Sequence, residues 1–343
     1  MAEKQHKSYI NYLKAFAILL VIFGHCLNYY NNHVRTLSEP WQVVLILVYA
    51  VHVPTFFVVS GYLCHAQPIR KYFGKKITRV FIPFVFFSVL KLLYSNVISQ
   101  DFRHGSGILS QLSDAFVYGK LYWFAYAILA CYLVAPLVWK KTNGRPVAAL
   151  IALGVTVVLN CAVFGFGLRL PTVLQLDQIL FYLPFFFTGM ILGAYPDAVR
   201  RFLQKHKGAL LAVCLSVLAL AAFLRYGMHV MSLGGKFPIA FPLAFALMYP
   251  LYLLARALPG KIVFLEKIGD YSYQLMLFDS FFKAILFAAA SRILSVPVTL
   301  LITLLDVVFG VAACMISERI PGIRTLVGLS RRTNTPRGKA GRI

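Results

Sequence analysis

At 343 residues, with 60% hydrophobic and only 13% charged residues and a mean hydropathy of +0.75, the chain is too apolar for a soluble globular protein, where charged residues run near about 25%. Its net charge of +23 does not point to nucleic acid, because the basic residues are scattered between apolar runs and not gathered on one water-exposed surface. The six cysteines lie in or beside apolar runs without CxxC pairing, so they read as packing residues, with neither a disulfide frame nor a metal site expected.

Stretches of about 20 apolar residues, the length that crosses a bilayer, recur ten times: 10–30, 41–63, 77–99, 117–138, 146–166, 173–195, 208–226, 237–256, 271–291 and 296–317. The expected fold is therefore all-α, a polytopic integral membrane protein of about ten transmembrane helices. The first stretch follows a short basic lead, as in a signal peptide. It runs on into Cys26-Leu27-Asn28-Tyr29-Tyr30 without a small-x-small cleavage site and reads as a retained first helix. With the N-terminus inside, 24 Lys and Arg fall on the inner side and seven on the outer, while Lys14, Lys91 and Lys283 fall within spans. That bias puts both termini in the cytoplasm. Residues 319–343 read as a basic cytoplasmic tail, disordered or lying on anionic headgroups.

An ionisable side chain at a helix centre costs about 2.5–3.5 kcal/mol on the insertion scale and persists where a partner or a cavity offsets it. The first span carries two, Lys14 and His25. Eleven helical steps return a side chain to within about 20° of its starting direction, about 16 Å further along the axis, so they share a face. Asn11 and Asn28 fall on the same stripe, and one polar line thus runs from the inner to the outer half of the bilayer. His25, in the outer half, is the best-placed general base; the competing reading is a histidine satisfied by a neighbouring carbonyl. Lys14 either snorkels to headgroups or meets a phosphate.

In the second span Pro54 removes a backbone hydrogen bond, and such a break is tolerated beside a cavity or protein. His52 is accordingly expected to line the same polar pocket as His25, or else to sit hydrogen-bonded in a packing kink. Ser60-Gly61 reads as a close helix contact. Lys76 and Arg79, at the head of the third span, present a basic face beside a helix N-terminus and suit a phosphorylated donor from the cytosol; the basic run around them is also a topology determinant. Lys91 lacks a local partner and reads as a cavity-facing cation. Asp279 and Lys283, four residues apart on the ninth span, neutralise each other. Ser272 and Tyr273 open that span with hydroxyls near the inner face, for polar packing or for a ligand. The outer loops Asn31–Pro40 and Gln100–Phe116 are expected to shape an entrance.

The ordered set Lys14-x10-His25, His52-Val53-Pro54-Thr55-Phe56-Phe57 through Ser60-Gly61, Lys76-x-x-Arg79 before Pro83, Tyr122-Trp123-Phe124, Leu183-Pro184-Phe185-Phe186-Phe187-Thr188-Gly189-Met190 and Gly269-x-x-Ser272-Tyr273 resembles the acyltransferase-3 family. Within it the closest likeness is to the branch described as fucose 4-O-acetylase-like polysaccharide O-acetyltransferases. The resemblance implies a membrane-embedded acyltransferase domain over residues 1–318, in the inner (cytoplasmic) membrane. Its partners would be the lipid bilayer and a glycan or lipid-linked sugar acceptor, its donor substrate acetyl-CoA, with no metal and no nucleic acid. An extracytoplasmic hydrolase-like domain, fused to some relatives, is not expected. Carried over residue by residue, Lys14, Lys76 and Arg79 would hold the coenzyme phosphates. His25, helped by His52, would deprotonate the sugar hydroxyl or accept the acetyl group itself. Two departures stand out: Arg is frequent in the family where this chain has Lys14 and Lys76, which keeps the charge and loses the bidentate fork, and Asp279 stands where a histidine is common. The rival reading is a transporter or flippase for a glycan or small solute, since intramembrane His, Lys and Asp also mark translocation paths.

Overall fold

The structure, a computed structural model, describes residues 2–97, 107–140, 146–168, 170–227, 239–258 and 262–329. Its elements are all helices. In the N-terminal half these are α1 (Ala2–His33), α2 (Glu39–Tyr62), α3 (Ile69–Lys76), a π-helical turn over Ile77–Phe81, α4 (Ile82–Val97), α5 (Ile108–Phe116), α6 (Trp123–Lys140) and α7 (Val147–Gly165). A 3-10 turn, Val173–Gln175, leads into α8 (Leu176–Ala194), followed by α9 (Pro196–Lys205), α10 (Lys207–Tyr226), α11 (Ala240–Ala257), α12 (Val263–Asp270), α13 (Ser272–Ala289), α14 (Val296–Arg319) and α15 (Pro321–Leu326).

Each of the ten predicted stretches contains a helix. Eight helical segments among the described residues are long and apolar enough to cross a membrane, the third of them running unbroken through Ile69–Asn96. Trp123–Trp139 is shorter, and α13, diluted by Gln274, Asp279 and Lys283, is not among the eight. The most exposed of these segments, α7 and α10, turn large apolar side chains such as Leu150, Val158, Leu215 and Phe223 outward. An apolar face of that extent is at home against lipid.

The helix α1 lies at the centre, touching α2, α11, α12, α13 and α14. Small residues set the closest approaches, as expected where no hydrophobic force drives helices together in lipid. Gly61 on α2 meets α8 so closely that a Cβ there would strike the Phe186 carbonyl, and Gly189 on α8 faces the Val58 carbonyl in the same way. The Ser60-Gly61 contact is thus a helix crossing. Gly189→Val should part the two helices and lower stability by about 2 kcal/mol or more, read as an earlier thermal unfolding in detergent. Gly269 likewise brings α12 against the Asn11 carbonyl, which draws the polar stripe of α1 to the start of α13.

Two expectations change. Lys76 and Arg79 do not flank a helix N-terminus: Pro68 caps a helix that begins at Ile69, so by Lys76 the amides are already spent on intrahelical bonds and only the side chains can receive an anion. The π turn falls just ahead of Pro83, whose missing N–H leaves the Arg79 carbonyl without its helical donor. The second change concerns the tail. Residues 321–326 form α15, Val327 is buried, and Gln274 Nε2 donates to the Val327 and Gly328 carbonyls at 3.2 and 3.4 Å. Gly328 has φ +75° and packs on Pro83 and the Arg79 carbonyl, a left-handed conformation at a tight approach that glycine adopts most easily. Residues 321–329 of the tail, expected to be disordered or to lie on headgroups, are therefore a strap, helical over 321–326 and packed on the bundle through Val327; 330–343 lie outside the described residues.

Candidate functional site

Two cavities share part of their walls and are named for the end of α1 they adjoin, inner for the N-terminal and outer for the C-terminal end. The inner one, about 710 Å³, is lined by Asn11, Lys14, Lys76, Arg79, Ser272 and Tyr273 among others. The outer one, about 230 Å³, is lined by His25, Asn28, Lys91, Asp279 and Lys283, with Tyr122, Trp123 and Ser280 beside them. Phe124 and Met276 belong to both walls. The stripe on α1 thus serves both cavities, Asn11 and Lys14 at one and His25 and Asn28 at the other, and Phe124 and Met276 are common to their linings.

The inner cavity is basic. Lys14, Lys75, Lys76 and Arg79 line it together with two acids, Asp270 and Glu318. Both acids are engaged: Asp270 Oδ1 accepts from Asn11 Nδ2 at 3.0 Å, and Glu318 Oε2 from the Tyr271 hydroxyl at 2.7 Å. Lys76 Nζ lies 3.4 Å from the centroid of the Tyr132 ring, a cation–π contact that holds the ammonium at the wall. The Tyr273 hydroxyl donates to the Val80 carbonyl at 3.0 Å and ties α13 to the π turn that carries Arg79. Ser272 is buried at the head of α13.

The outer cavity is organised by one carboxylate. Asp279, with a side chain only 2% exposed, accepts from His25 Nδ1 at 2.8 Å and from Lys283 Nζ at 3.2 Å, both on Oδ2. The Asp279–Lys283 neutralisation is therefore present, and it is shared with a second cation-forming group from α1. With the carboxylate accepting the Nδ1–H hydrogen bond, Nε2 of the neutral ring keeps a free lone pair. His25, 33% exposed, is thus oriented by a buried acid and open on its other side. Aromatic faces and amides complete the wall: Tyr29, Tyr122 and Trp123, with Asn28 and Asn32. That mixture suits a polyhydroxylated ring.

His52 is in neither lining. It is 2% exposed, its Nδ1 hydrogen-bonds the Val48 carbonyl at 2.5 Å, and its ring meets Tyr49 edge-on. His52 thus packs in the interior, hydrogen-bonded to a carbonyl of its own helix, as the alternative reading of a packing histidine has it. Of the two outer loops, the first contributes Asn32 and His33 to the outer cavity. In the second, 98–106 lie outside the described residues, and the remainder forms α5, which does not reach the cavity. Among the described residues no three His, Cys, Asp or Glu side chains come together as a metal site. The residue that spacing alone missed is Asp279 as partner of His25. They are 254 positions apart, and the i, i+4 pairing with Lys283 supplied a sufficient local account of the acid.

A family model described as an acyltransferase domain matches residues 7–319. The nodulation protein NolL of Sinorhizobium fredii is 27% identical over 226 residues, which cover 63% of this chain and 57% of the relative. The glucans biosynthesis protein C of Salmonella paratyphi B is 24% identical over 258 residues, covering 64% of this chain and 66% of the relative. The match thus spans less than two thirds of either relative's length. No solved structure matches the chain.

Proposed function

Because the chain belongs to the acyltransferase family whose domain extends over residues 7–319, we propose that it is a ten-span O-acetyltransferase of the inner, cytoplasmic membrane with both termini in the cytoplasm. It takes acetyl from cytosolic acetyl-CoA and delivers it to a sugar hydroxyl of a cell-envelope or exported polysaccharide, or of its lipid-linked precursor. One observation carries this reading: a basic inner cavity meets, across Phe124 and Met276, an outer cavity that holds a His–Asp pair. Likeness to a glucans biosynthesis protein supports a carbohydrate acceptor.

In this mechanism Lys14, Lys76 and Arg79 bind the phosphates of the donor, and its thioester arm extends between Phe124 and Met276. Nε2 of His25 takes the proton of the sugar hydroxyl as its oxygen bonds to the thioester carbonyl carbon. The carbon–sulfur bond then breaks, the coenzyme leaves as the thiolate, and the proton on His25 neutralises it. Asp279 holds the ring in register and stabilises the imidazolium. In the second route His25 Nε2 itself attacks the carbonyl and carries the acetyl group after the thiolate leaves; the sugar oxygen then bonds to the acetyl carbon as the bond to Nε2 breaks, and its proton passes to the coenzyme thiolate. Both routes need the same face of the same ring. His52 acts only through packing of α2.

Family membership and the oriented histidine favour chemistry over passage of a solute. The direct test is purified protein with acetyl-labelled acetyl-CoA, followed by coenzyme release and label in glycan, beside proteoliposomes assayed for solute movement. Movement without acetyl transfer would overturn the reading. Mass spectrometry of envelope glycans with and without the gene identifies the acceptor as the species that loses acetyl groups. Lys76→Met and Arg79→Met should each raise KM for acetyl-CoA about ten- to hundredfold, the value of one charge-assisted contact, with kcat much less affected.

A further inference from the structure

Lys91 enters the outer cavity as a cation that no carboxylate meets. Asp279 is already shared by His25 and Lys283, and among the described residues no ion pair includes Lys91. The centroid of the Tyr122 ring lies 5.4 Å from its Nζ, a distance at which a cation–π interaction is modest. Lys283 lines the same 230 Å³ space and repels it. Among the described residues that line the cavity one acid, Asp279, faces two lysines, and within a membrane-spanning bundle a cation in excess of its acids is retained where something pairs with it. Beside these and His33, the wall carries Tyr29, Trp123, Asn28 and Asn32, aromatic and amide groups that suit a sugar ring.

We infer that the acceptor is an anionic sugar, one bearing a carboxylate or a phosphate that pairs with Lys91 while its reacting hydroxyl lies at His25. This rests on the acceptor entering the outer cavity of an acetyltransferase, and it adds the charge of the substrate. Lys91 then determines specificity. It reads the one feature that the aromatic and amide groups of the wall cannot distinguish.

The test is binding to the purified full chain in detergent, followed by thermal unfolding without any donor, with methyl glucuronoside, glucose 1-phosphate and neutral methyl glucoside as probes. At least one charged probe should bind about tenfold or more tighter than methyl glucoside, as one charge-assisted contact requires, and whichever charged probe binds better separates a uronic acid from a sugar phosphate. Lys91→Met should abolish that margin, Lys91→Arg should keep it, and Lys76→Met, which alters the inner cavity, should keep it too. In the wild type, added salt should weaken the charged probe and spare the neutral one, a result that stands even if Lys91→Met does not fold. Equal affinity for charged and neutral probes, binding of none of them, or loss of the margin in Lys76→Met alone would overturn the inference. Because binding is read without turnover, a protein that binds charged sugars yet transfers no acetyl refutes the enzyme reading only. An active enzyme indifferent to acceptor charge refutes this inference only.

Discussion

His25→Ala should lower acetyl transfer by about 10²–10⁴-fold, the range over which a positioned general base contributes, with the fold intact. The fold should hold because the substitution removes a side chain that is one-third exposed to a cavity, and Asp279 keeps its partner in Lys283 at 3.2 Å. Activity should fall because Nε2 of His25 is the basic atom that the Asp279 pair leaves open to the outer cavity. The loss applies equally to direct attack by the sugar and to an acetyl-histidine intermediate. Rapid-quench trapping of acetylated protein in the wild type, absent in His25→Ala, would separate the two. Near-normal transfer by a well-folded His25→Ala protein would refute both routes, whatever the acceptor proves to be.

Asp279→Ala should damage both activity and stability, for separate reasons. Its carboxylate holds the His25 ring from α13 and is the counter-ion of Lys283 on its own helix. Removing it leaves a buried ammonium unpaired, a loss of about 3–5 kcal/mol in comparable buried pairs. It also frees the imidazole to rotate and leaves the developing imidazolium uncompensated, which in the serine-protease triad costs on the order of 10⁴-fold in kcat for the equivalent Asp→Asn change. The double variant Asp279→Asn, Lys283→Met separates the effects. Thermal unfolding should return toward the wild type because the ammonium that lost its counter-ion is gone too, while transfer stays low. Recovery of activity along with stability would show that Asp279 matters only as a counter-ion.

Asp306 adds to the environment of this carboxylate. It is buried on α14, and its Oδ2, like Oδ1 of Asp279, has no hydrogen-bond partner among the described residues. Asp306 lies beside Asp279 and outside the cavity lining, so Asp279 is the acid that meets the cations there. The strap over residues 321–329 borders the other cavity. Gly328 and Leu329 form part of the inner cavity wall, so the coenzyme site of the proposed mechanism includes residues whose sequence reads as tail.

Local spacing determined a great deal about this protein. Apolar stretches of bilayer length identified the helices, and the 3.6-residue period placed Asn11, Lys14, His25 and Asn28 on one face of α1, because both properties belong to a single helix and need no knowledge of its neighbours. The same locality explains where the reading stopped. His52 stood beside a proline and read as pocket-lining, yet the rotation of α2, set by Gly61 and Gly189 against α8, turns it into the interior. Lys76 and Arg79 read as the head of a helix that in fact begins at Ile69. Asp279 read as the neutraliser of Lys283, and only the packing of α13 on α1 decided that it also holds His25. The division of one polar stripe into two cavities by Phe124 and Met276 is likewise a decision of the tertiary structure. Those two side chains come from α6 and α13, and what they separate depends on where three helices meet, which no periodicity within one helix encodes.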